Sequence, residues 1–217
     1  MTSAQASLFA GEAGPRLGKR PASIIRESVG DLRFRSTLVR RWAPGPLVAW
    51  LMCNPSTADD LRDDPTSWRV IEFTHAWGYP GAIIVNFAPF RSSKPAELWP
   101  WLNWQDNGPD WQARDAWQAN LGTVEKAARG AALRVVAFGA EIVRRQPVML
   151  DTVLEAFGQP SDVDADERLH CLATNDEGSP RHPLARGKWR VPDGAKPQPW
   201  QGFAAGLVHP LLEGATP

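Results

Sequence analysis

The sequence predicts an α/β fold, a three-layer sandwich with a mostly parallel central sheet and an N-terminal antiparallel edge strand. Three observations predict it. Leu47–Cys53, Ala82–Phe87 and Leu133–Phe138 are short apolar runs, of a length that suits buried strands and is too short for isolated helices. Amphipathic segments lie between them; in one, Ala113, Trp117, Leu121, Val124 and Ala128 recur at helical spacing. Each run also ends abruptly in turn and polar residues, as strands do at the carboxyl edge of an open α/β sheet, where such sheets keep their sites.

The elements follow in chain order. Residues 1–20 are rich in Ala, Gly and Ser and read as a disordered N-terminal tail. Residues 21–190 read as a single α/β domain. Its first strand, near 32–42, begins with polar–apolar alternation. The turn Ala43-Pro44-Gly45-Pro46 then predicts a hairpin with the strand at 47–53, and Arg33, Arg35, Arg40 and Arg41 read as a solvated edge that discourages aggregation. Asp64-Pro65-Thr66 has the chemistry of an N-cap and first helical turn. The helix runs to about Trp77, with Trp68, Ile71 and His75 on one face and Gly78 as its stop.

With the strand at 82–87 this makes one right-handed βαβ unit. Residues 94–109 read as irregular or as a short helix, and 110–129 as a long helix. A third parallel strand spans 133–138. The helix from Glu141 to Phe157 should be kinked or split by Pro147. An acidic loop covers 159–167, a short strand 168–173, and residues 191–217 read as a loosely attached Pro/Gly-rich C-terminal tail.

Composition narrows the function classes. The 217 residues carry 24 basic and 24 acidic side chains, so no whole-chain charge argues for nucleic acid or membrane. No apolar run approaches the roughly 18 residues of a membrane helix, and the N-terminus lacks the order of a signal peptide, which together predict a cytoplasmic protein without a membrane partner. Cys53 and Cys171 each lie in an apolar run; a disulfide and two buried thiols both fit, and a cytoplasmic setting favours thiols. No His or Cys pair has metal-ligand spacing, and there is no glycine-rich phosphate loop and no nucleophile elbow, so neither a bound metal nor another cofactor is expected.

The candidate site comes from the strand ends. Asn54, Pro55, Ser56, Thr57, Asp59, Asp63 and Asp64 follow the strand at 47–53; Asn86 and Arg91 follow the strand at 82–87; Arg181 and His182 follow the last strand. Parallel order brings such loops to one edge. Pro55 and Pro183 stiffen the residues before them, Asn54 and His182. A strand, a turn and a few helix caps would account for much of the same pattern.

These motifs carry a resemblance. Trp50–Asp59, Asp63-Asp64-Pro65-Thr66, Trp77-Gly78-Tyr79, Val85-Asn86-Phe87, Arg91, Phe138-Gly139 and Ser179–Leu184 together resemble the bacterial and phage family known as domain of unknown function 1643, over about Leu32 to Leu184. That family usually shows Gly-Pro-Glu-Asn-Asp before the long helix, where this chain has Gly108-Pro109-Asp110-Trp111-Gln112. The order of pieces is also similar to the uracil-DNA glycosylase superfamily: Cys53-Asn54-Pro55-Ser56, Val85-Asn86, Phe138-Gly139 and His182-Pro183.

That second similarity implies a glycosylase-like fold and a nucleobase- or nucleotide-processing hydrolase. Asn54 would position a water, His182 would donate to the leaving base, and a nucleobase, nucleotide or nucleic acid would be the partner. Asn54, His182 and Asp59 are then the catalytic candidates. Pro55, Ser56, Thr57, Asp63, Asp64, Asn86, Arg91 and Arg181 are the binding candidates. Two other readings stand beside it. One is a metal- or phosphate-dependent enzyme using Asp59, Asp63 and Asp64 with Arg91 and Arg181 as an anion clamp. The other is a non-catalytic module that binds nucleic acid or protein. The sequence sets no oligomeric state.

Overall fold

A computed structural model gives the architecture and describes residues 20–103, 111–160, 162–163 and 166–203. The disordered tail expected at 1–20, except for Arg20, and the residues after 203 lie outside the described residues, as do residues 104–110.

The strands are β1 (Ile25–Gly30), β2 (Arg35–Arg41), β3 (Leu47–Met52), β4 (Gly81–Asn86), β5 (Ala131–Val136), β6 (Leu169–Cys171) and β7 (Gln198–Pro199). The helices are α1 (Pro65–Ala76), α2 (Pro95–Leu102), α3 (Trp111–Arg129), α4 (Glu141–Arg145) and α5 (Pro147–Phe157). The strands form one mixed seven-stranded sheet in the order β1-β2-β4-β3-β5-β6-β7. The four central strands β4, β3, β5 and β6 run parallel, while β1, β2 and β7 are antiparallel to their neighbours. This is the expected α/β class, with parallel strands at the four expected places.

Alternation along β3 explains the layers. Val48, Trp50 and Met52 face α1 with Val70 and Phe73, while Ala49 and Leu51 face the side where α2, α3 and α5 supply Leu98, Trp117, Val124 and Val153. All six residues of β3 are buried, which requires a strand on both sides and helices on both faces. On the α1 side, Trp50 stacks on Trp77 at 5.3 Å, and its Nε1 donates to Thr74 Oγ1 at 3.0 Å.

Local chemistry sets the helix ends. Asp64 caps α1 by accepting from Ser67 N at 2.8 Å, and Ser67 Oγ accepts from Asp64 N at 2.9 Å. Pro147 divides the expected long helix into α4 and α5, because it offers no N–H to continue the ladder. In α1, Ile71 is buried, but Trp68 lies half-exposed with the Arg20 guanidinium 3.9 Å from its ring centroid, and half-buried His75 meets Trp42 edge-on. Both cysteines are free thiols.

Four expectations fail. The hairpin is β1–β2, not β2–β3; β2 pairs with β4, because fully buried β3 takes the centre and half-polar β2 is left the flank. The edge strand is therefore β1, whose polar residues hid it from periodicity. Arg35 and Arg40 are not solvated: they are 3% and 0% exposed. The segment after Arg190 is docked as far as Phe203. Val191 is buried, Gln198–Pro199 pairs with β6, and Trp200 packs edge-on against Phe138.

Candidate functional site

The loops that follow β3, β4, β5 and β6 meet at the carboxyl edge of the parallel strands. Backbone bonds lace them together. Pro55 O accepts from Ser92 N at 2.9 Å, Ala88 N donates to Cys53 O at 3.1 Å, and Gly139 N donates to Pro180 O at 3.1 Å. Gly139 has φ +80°, a left-handed turn that only glycine makes freely, and it lets the chain leave β5 toward the last loop. That loop is folded by Asn175, whose Oδ1 accepts from Glu177 N and Ser179 N, and is tied down by Trp200 Nε1 donating to Gly178 O at 2.9 Å.

Between these loops lies a cavity of about 350 Å³. Its walls mix apolar Leu38, Met52, Ile84, Phe138 and Trp99 with polar Arg35, Asn54, Ser56, Asn86 and His182, and with Asp64 and with Glu141, whose carboxylate pairs with Arg144 and Arg145. Asn54, Ser56, Asp64, Asn86 and His182, each proposed from sequence, thus meet in one cavity.

Asn54 is half-buried and holds its own loop in place. Its Nδ2 donates to Ser92 O at 2.9 Å, Pro55 O at 3.1 Å and Phe90 O at 3.4 Å, which fixes the amide plane and leaves Oδ1 as its unengaged acceptor among the described residues. Asn86 is 1% exposed, and its Nδ2 has no hydrogen-bond partner, while its main-chain carbonyl accepts from Asn120 Nδ2 at 2.8 Å. A buried amide donor without an acceptor is costly, and polar ligands commonly satisfy such groups. His182 accepts from Leu184 N on Nδ1 at 3.1 Å, so its proton sits on Nε2. Burial lowers its pKa to about 4, partly opposed by Asp64, and keeps the ring neutral near pH 7. Cys53 is no nucleophile at neutral pH: burial, then Glu141, pushes its thiol up to about 12.

The other sequence-proposed residues stand outside the cavity wall. Asp59 forms a turn, its Oδ1 accepting from Leu61 N and Arg62 N. Asp63 accepts from Arg40 Nε at 2.6 Å and Arg26 Nε at 2.9 Å, inside the protein. Asp64 reaches the cavity but spends both oxygens locally, on Ser67 N and Ala58 N. These three acids therefore do not converge, and no group of three or more His, Cys, Asp or Glu does so among the described residues. Pro55 is buried beneath the loop and Thr57 is exposed. Arg91 reaches toward Asp31 O, and Arg181 donates to Thr174 O at 2.8 Å and lies over the Trp189 ring. The expected anion clamp of Arg91 and Arg181 is thus not assembled at the cavity.

Arg35 is the cavity's arginine, and sequence reasoning missed it. Because β2 runs antiparallel to β4, its first residue lies at the same edge as the last residues of the parallel strands. Arg35 Nη1 donates to Ala58 O, whereas Nε has no partner. Burial lowers its pKa to about 10, still well above neutrality, so the cation persists. Trp99, Phe138 and Glu141 were also outside the proposed set. Phe138-Gly139 at a strand end was the available signal for that wall.

No curated protein and no solved structure matches the chain. Residues 35–184, nearly the span of the resemblance and most of the sheet with all five helices, match one family throughout. The chain therefore belongs to the family described as "Protein of unknown function (DUF1643)".

Proposed function

We propose that the cavity binds a nucleobase and that the protein is a hydrolase of the N-glycosylase kind, cleaving a base–sugar bond. The carrying observation is the buried, unpartnered Nδ2 of Asn86 in the same largely apolar cavity as the neutral, Nε2-protonated ring of His182. Two fixed donors in a cavity that Phe138 and Trp99 also line suit a flat ligand with carbonyl oxygens.

In this reading Asn86 holds one carbonyl of the base. His182 Nε2–H donates to the oxygen that gains charge as the C–N electron pair leaves with the base. Asn54 Oδ1 accepts from a water and orients its oxygen toward the sugar carbon. The water gives up its proton to solvent as its oxygen bonds to the sugar carbon, and the departing base is later protonated from solvent. Donors fixed before the reaction stabilise such a charge without reorganising, and removing one typically costs about a hundredfold or more in rate.

The metal- or phosphate-dependent reading has less support, because Asp59, Asp63 and Asp64 are each engaged within the protein. The test is a panel of uracil-containing, mismatched and modified-base oligonucleotides with free nucleosides and nucleotides, assayed for released base. His182→Ala should lose release about a hundredfold or more while keeping the fold. Asn54→Ala should lose release as well, and its melting is compared with wild type because it also strips three carbonyl contacts from its loop. No release from any substrate ends the hydrolase reading, and binding without release turns the protein into a base-binding module.

A further inference from the structure

Arg35 is unlike the other fully buried arginines. Arg40, 0% exposed, meets Asp63 and the carbonyls of Val39, Asp59 and Arg62. Arg134, 1% exposed, also has an unpartnered Nε, but its other nitrogens meet Glu167 and the carbonyls of Gln159 and Glu167, and it does not line the cavity. Arg35 has one protein acceptor, Ala58 O, an unpartnered Nε, and a place in the cavity wall. The carboxylate that most opposes its charge is Asp64, and both Asp64 oxygens are taken by backbone N–H groups. A desolvated cation with a spare donor is the complement of an oxyanion. Asn86 Nδ2, the second unpartnered donor, lies in the same wall, and β2 and β4 are paired neighbours.

We infer that the cavity's ligand carries an anionic oxygen, of the phosphate class, which is bound by the Arg35 guanidinium. This deepens the reading of the cavity as a nucleobase site and rests on it for the rest of the ligand: the preferred ligand is a nucleotide whose phosphate enters the cavity, not an uncharged nucleoside. Arg91 and Arg181 are not needed for it.

The test uses the full chain, with inorganic phosphate, uridine and uridine 5′-monophosphate as probes. Calorimetry gives affinities, and the Arg35 Nε–H signal in a nitrogen-15 spectrum reports contact directly. The monophosphate should bind about tenfold or more tighter than uridine, the range of a hydrogen bond to a charged group. Phosphate and the monophosphate should shift the Nε–H signal, and uridine should not. Arg35→Gln should reduce the monophosphate to the affinity of uridine, and Arg35→Lys should retain part of the preference.

Equal binding of uridine and its monophosphate to the wild type overturns the inference and leaves the base reading standing. Phosphate that shifts the Nε–H signal while uridine fails to bind, alone or with phosphate present, supports the inference and sinks the base reading. If losing the Ala58 contact unfolds Arg35→Gln, the wild-type Nε–H signal decides: no shift with phosphate or with the monophosphate overturns the inference.

Discussion

Replacing Asp63 with alanine separates architecture from ligand binding in the acidic loop. The Asp63 carboxylate, 1% exposed, accepts from Arg40 Nε at 2.6 Å, Arg26 Nε at 2.9 Å and Ser67 Oγ at 3.1 Å. Removing one partner of a buried ion pair costs about 3–5 kcal/mol. Two features put this site at the low end. Arg40 keeps three carbonyl acceptors, and Arg26, with 29% of its side chain exposed, can turn to water. The expected loss is therefore about 3 kcal/mol, a fall in Tm of roughly 6–12 °C for a domain of this size. Urea denaturation and thermal melting measure it, and Asp63→Asn, which keeps an acceptor but no charge, should fall between. A loss under about 1 kcal/mol with an unchanged denaturant slope would refute the reasoning. So would an Asp63→Asn variant that melts like wild type but no longer binds ligand, because Asp63 would then be a contact and not a brace.

Three further outcomes are expected. His182 is protonated more readily in the unfolded chain, near its ordinary 6.5, than in the fold, where the value is about 4. Its contribution is intact above about pH 6.5 and lost as pH falls toward 4, by at most about 3 kcal/mol and less where water reaches the ring. Melting at pH 7 and pH 5 should therefore differ more in wild type than in His182→Gln, and an equal difference would remove His182 as the cause. Thr74→Val strands the buried Trp50 Nε1–H and should cost about 1–3 kcal/mol in urea denaturation. Gly81→Ala would put a Cβ 2.5 Å from Arg40 O and 2.9 Å from Arg41 Cα, so it should part β2 from β4 and cost about 1–3 kcal/mol or more. A variant that melts like wild type would mean that this contact relaxes freely.

The parallel core was legible because its strands are short, mainly apolar and ended by turn chemistry; Leu47–Met52 and Gly81–Asn86 needed nothing else. The α1 cap was legible in Asp64-Pro65, since capping is a local interaction. The partners of β2 were not, because alternation tells which face is buried and not which strand lies alongside. Arg40 left a trace in the sequence: it shares a face with Leu38 two residues away, and Leu38 is buried. Arg35 left none. The β1–β2 register shifts between Val29 and Gly30, where Gly30 pairs with Arg35, so Arg35 turns inward out of phase with Leu38 and Arg40. The meeting of Asn54, Asn86 and His182 followed from strand order alone. The absence of Asp63 and Arg91 from the cavity did not, because each is held by a partner that only the tertiary fold supplies, while Asp59 is held in its own local turn.

The docked C-terminal segment means that the unit of descent and the unit of folding differ in length. The family match ends at residue 184, yet Val191, β7 and Trp200 lie beyond it, and β1 lies before it. A chain trimmed to the shared region would leave Cys171 without its antiparallel neighbour and Phe138 without Trp200. It would also lose the indole that holds Gly178 O, four residues before His182. Relatives are therefore free to differ in these flanks only if something else braces the last loop, and the flank becomes the place where one member can tune how firmly that histidine is presented.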